Sequence, residues 1–68
     1  MGEWCQIKNH TWIFGFKIRG IIRDVKAKVH RIAKNSWVWE IRNGLDGNGI
    51  EKEFLTAVYQ VERQLGLL

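Results

Sequence analysis

Residues 11–19 read Thr-Trp-Ile-Phe-Gly-Phe-Lys-Ile-Arg (TWIFGFKIR), and the fold turns on their period. Trp12, Phe14, Phe16 and Ile18 occupy every second position, with Ile13, Gly15, Lys17 and Arg19 between them. Successive side chains of a strand point to opposite faces, so this alternation predicts a strand over about 11–19 with one greasy side.

The same period continues downstream. Gly20 permits a turn or bulge, because it lacks a Cβ. In residues 24–32, DVKAKVHRI, Val25, Ala27 and Val29 share one side, and Lys26, Lys28 and His30 share the other. Lys34-Asn35-Ser36 is a turn cluster. In residues 37–43, WVWEIRN, Trp37, Trp39 and Ile41 form the apolar side, against Val38, Glu40 and Arg42. Strands are expected at about 11–19, 24–33 and 36–43, as an antiparallel meander. Upstream, CQIKNHTW can form a hairpin turning at Asn9-His10; the alternation is weaker there, so a fourth strand over 4–9 stays an open alternative.

The period changes after Gly49. Ile50, Phe54, Ala57, Val58, Val61 and Leu65 recur at three and four, the stripe of an amphipathic helix. Asn48 with Glu51 resembles a capping box, Arg63 suits the negative end of the helix dipole and Gly66 is a natural stop. A helix is expected over about 49–66, in preference to a rival that keeps 50–54 extended and starts at Thr56. The fold class follows: a single α+β domain over residues 1–68, in two layers, with three or four antiparallel strands packed on one C-terminal helix. The chain has 68 residues, four Trp, three Phe and one cysteine, so large aromatics must replace any internal disulfide in holding a small core.

Several classes are set aside. No run of about 18 apolar residues exists, so no membrane span is expected. The N-terminus MGEWCQIKNH lacks the pattern of a secretory signal, and one cysteine fits a reducing, cytoplasmic setting. DGNG in residues 46–49 resembles a calcium loop, but aligning Gly49 to loop position 6 puts Gly44 at 1, Lys52 at 9 and Leu55 at 12, which supply no side-chain carboxylate. Cys5, His10 and His30 are too few for a structural zinc site, and no phosphate-cradling glycine motif occurs. Neither a metal nor a cofactor is expected, and the chain is read as a non-enzymatic binding protein.

Charge carries the functional signal. Residues 1–43 hold nine basic and three acidic side chains, net +6, whereas residues 44–68 stand at −2, together the chain's +4. Alternation gathers Lys17, Arg19, Lys26, Lys28, His30 and Arg42 on the sheet side away from the helix, relieved by Glu40. Such a surface attracts phosphate backbones, so nucleic acid, DNA or RNA, is the expected partner. In topology only, WVWEIRN followed by a helix resembles plant ethylene-response-factor DNA-binding domains and the DNA-binding domains of phage-type integrases. That likeness implies a sheet laid in the major groove. The second reading is a small phage- or mobile-element-type protein that inhibits or adapts a larger protein or nucleoprotein complex, using Ile13, Val38, Leu55 and Tyr59. Open sheet edges also allow a homodimer by strand pairing.

Overall fold

The computed structural model describes residues 2–42 and 47–68. The chain runs β1 (Gly2–Lys8), β2 (Thr11–Ile18), β3 (Ile21–Ala33), β4 (Ser36–Ile41), β5 (Asn48–Glu51) and α1 (Phe54–Gln64). The five strands form one antiparallel sheet in the order β1-β2-β3-β4-β5. The α+β class and the meander stand, and the optional N-terminal strand is present as β1; the count of three or four strands is too low because β5 makes a fifth.

Each added strand has a local cause. β1 turns into β2 at Asn9-His10, the site expected from sequence, and His10 takes φ 64° there. Trp4 lies opposite Phe14 in the register, their rings 5.2 Å apart, which gives β1 an apolar side facing the helix layer. β5 pairs Gly49 with Trp39 and Ile50 with Val38. A Cβ on Gly49 would sit 2.6 Å from the Trp39 indole, so the glycine lets the large ring lie flat across the edge strand.

This pairing corrects the helix start. The segment 49–53 contributes a strand and a bend, so α1 begins at Phe54. Ile50 leaves the helical stripe and is 64% exposed on the other side of the sheet. Asn48 is a strand residue, and Glu53 holds the N-cap position without a side-chain cap bond. Glu51 accepts a hydrogen bond from Trp39 Nε1 at 3.2 Å instead of closing a capping box. Of the calcium-like loop, Gly44 and Asp46 lie outside the described residues.

α1 packs on β3, β4 and β5. The core is Phe14, Ala27, Val29, Trp39 and Ile41 from the sheet with Ala57 and Val61 from the helix, flanked by Trp4, Trp37, Phe54 and Leu65. Phe54 bridges Trp12 and Trp37 at ring distances of 5.4 and 5.0 Å. Both tryptophans of β4 therefore serve packing: Trp39 is buried and Trp37 half-buried against the helix.

Candidate nucleic-acid interface

The sheet side away from α1 is less basic than alternation predicts, and the reason is a break in β3. β2 and β3 pair regularly as far as Phe14↔Ala27, then resume at Phe16↔Arg23. One residue of β2, Gly15, thus opposes three of β3, Asp24, Val25 and Lys26. Asp24 adopts φ 53° in this bulge, a conformation that aspartate tolerates better than most residues. The β3 backbone folds close over Gly15, where a Cβ would lie 2.9 Å from the Arg23 carbonyl oxygen and 3.2 Å from that of Asp24.

The bulge redirects Lys26. Its Nζ lies 5.9 Å from the Phe16 ring centroid and 3.0 Å from Asp24 Oδ2. With Gly2, Phe14, Phe16, Leu65 and Leu67 it lines an open apolar groove of about 260 Å³ beside the C-terminal end of α1. Lys26 therefore leaves the side occupied by Lys28 and His30, with its charge matched by Asp24. Arg19 departs for a different reason. Arg19 and Gly20 have φ 54° and 80°, the paired positive values of a tight hairpin turn, so Arg19 sits at the tip of the β2–β3 hairpin and not in a strand.

The remaining open-side residues are interleaved with apolar ones. Lys28 lies between Ile13 of β2 and Glu40 of β4, and His30 between Thr11 and Val38. The His30 Nδ1 is buried without a hydrogen-bond partner. Lys17 stays on this side opposite Ile22, and exposed Arg42 follows β4, its backbone N–H bonded to the Lys26 carbonyl at 2.8 Å. Among the residues of the second reading, Ile13 and Val38 belong to the open side, half-buried. Leu55 and Tyr59 lie on α1 and are 73% and 50% exposed. These four do not make one surface.

The cations gather somewhere else. β1 pairs with β2 no further than Phe16, and β4 with β3 no nearer the turn than Ala27. The hairpin beyond those pairs therefore projects as a two-stranded arm, closed by Phe16↔Arg23, Lys17↔Ile22 and Ile18↔Ile21. Residues 16–26 carry Lys17, Arg19, Arg23 and Lys26 against Asp24, net +3 of the chain's +4. Ile18 and Ile21 are 53% and 57% exposed on the same arm. Sequence reasoning missed Arg23 because the bulge that sets its position leaves no mark in the alternation; the only signal was the RGIIRD run, two arginines flanking a turn glycine and two isoleucines.

No family model, curated protein or solved structure matches the chain. Among the described residues no helix is long and apolar enough to cross a membrane.

Proposed function

We propose that this protein binds nucleic acid through the projecting β2–β3 arm, with Lys17, Arg19 and Arg23 on phosphates and Arg42 at the root of the arm. The observation that supports this reading is the concentration of charge: most of the net positive charge sits on one two-stranded element. A β-ribbon is narrow enough to enter a groove of duplex nucleic acid. Arginine presents a planar fork that matches phosphate oxygens two at a time. The exposed Ile18 and Ile21 add apolar contact to sugars or bases. Three phosphate contacts give a slope of about −2 to −3 in log affinity against log salt.

The test is fluorescence anisotropy with labelled single- and double-stranded DNA and RNA across a salt series. Reversing Lys17, Arg19 and Arg23 to Glu should weaken binding at least about tenfold on every sequence, while Lys28→Glu should change it little. A triple variant that binds as tightly as the parent at moderate salt removes the arm as the site.

One observation favours a second reading, a small adaptor or inhibitor of a larger protein. Leu55 and Tyr59 are four residues apart on α1, hence side by side, and both are exposed. A stoichiometric protein retained from lysate after nuclease treatment, and lost in a Leu55→Glu/Tyr59→Glu variant, would move the function to the helix.

A further inference from the structure

The open side of the sheet has a pattern that its place in the monomer does not explain. At its centre, Lys28 and Glu40 are direct neighbours across β3 and β4. Both are half-buried, yet the ion pair among the described residues is Lys26–Asp24. Two opposite charges thus stand side by side without closing on each other. Around them apolar and polar residues are interleaved: Ile13 stands beside Lys28, Asn48 beside Glu40, and Val38 between His30 and Ile50. Ile50 is 64% exposed, and the described helix and the buried core lie on the opposite side.

A cation and an anion placed symmetrically about a line are self-complementary under a two-fold rotation about that line. We propose that two copies of this chain pack open side to open side, as a β-sandwich, about a two-fold axis running between β3 and β4. Lys28 of each copy then meets Glu40 of the other, making two ion pairs from charges that the monomer leaves unpaired. Val38 of one copy covers His30 of its partner, enclosing the imidazole whose Nδ1 has no bond. The twist between packed sheets displaces the periphery but not positions beside the axis, so the central pairs are the least sensitive to it. The interface is isologous, and closure leaves no unpaired copy of it.

The size is modest. Five strands spaced by about 4.8 Å and about six residues long project roughly 500 Å² per copy, or about 1,000 Å² for the pair, the lower limit for a specific contact. The dimer is therefore weak and concentration-dependent. Its ion pairs set register and partner choice more than affinity. The arm lies outside the paired charges, so dimerisation would present two arms and is independent of whether they bind nucleic acid.

Sedimentation equilibrium over a concentration series tests this. The parent mass should rise from 8.0 kDa toward twice that value. Lys28→Glu and Glu40→Lys should each stay monomeric, because like charges then meet across the axis. Mixed together, the two variants should form a 1:1 heterodimer, since one copy presents two anions and the other two cations. No repair confined to a single chain produces that rescue. Circular dichroism establishes that each variant is folded, and Ile50→Glu, at an exposed position, is a second disruptive change that spares the core. A parent that stays at 8.0 kDa, an Ile50→Glu variant that associates like the parent, or folded charge variants that remain monomeric on mixing would each overturn the proposal.

Discussion

The β2–β3 hairpin is two different structures along its length. Its base, Thr11–Phe14 with Ala27–His30, is held between β1 and β4, and Phe14, Ala27 and Val29 enter the core. Its tip, beyond Phe16, has neither flanking strand, and Lys17, Ile18, Arg19, Ile21 and Arg23 are all exposed there. Along β2 both halves have the same alternating pattern, with Trp12 and Phe14 in the base and Phe16 and Ile18 toward the tip. On a strand without a bulge, such as this stretch of β2, alternation therefore specifies which side a residue takes, but not whether that side meets protein or water. Flanking strands decide this, and they end where the bulge begins.

The boundary between base and tip can be broken at Gly15. Gly15→Val places a Cβ where the Arg23 and Asp24 carbonyl oxygens stand. The bulge must shift to admit it, at a cost of about 1–3 kcal/mol by comparison with overpacked sites. A fall in the urea midpoint should accompany a loss of nucleic-acid affinity, because the arm is aimed by the same bulge. An unchanged midpoint would mean that the close approach over Gly15 is not present in solution.

A smaller effect sharpens the comparison at the turn. Arg19 holds φ 54°, a left-handed conformation that costs a side-chain-bearing residue about 1–2 kcal/mol. Arg19→Gly removes this strain and adds a glycine's entropy cost of about 0.5–1 kcal/mol, leaving a net gain of roughly 0.5 kcal/mol. Stability should rise slightly while nucleic-acid affinity falls, an opposition that distinguishes a functional tip from a structural one. Parallel losses in both would contradict it.

The smallest expected effect is at Asp24. Asp24→Asn keeps a residue tolerant of the left-handed backbone and removes the partner of Lys26. The pair is substantially exposed, so stability should change by less than about 1 kcal/mol. Binding to nucleic acid should tighten, because the arm loses its one negative charge. Weaker binding would show that Asp24 positions the cations instead of offsetting them.

The sequence by itself determined the class of the fold. Period two through residues 11–19, 24–33 and 36–43 gave strands, the shift to three and four gave the helix stripe at Phe54, Ala57, Val61 and Leu65, and Asn9-His10 marked the first turn. These signals are local, since each follows from how one segment must orient its own apolar side chains. The edges of the meander were decided by tertiary contact. Gly49 reads as the start of a helix until Trp39 is laid across it, and Ile50 fits a helical stripe until Val38 pairs with it. The candidate site was legible only in part: the excess of cations before residue 44 is plain in the sequence, but the side and the element on which each one ends up are not. A bulge at Asp24–Lys26 sends Lys26 to the helix side, a tight turn lifts Arg19 to a tip, and cross-strand register sets Lys28 against Glu40. Each depends on which residue of another strand lies opposite, and a one-dimensional pattern does not contain that pairing.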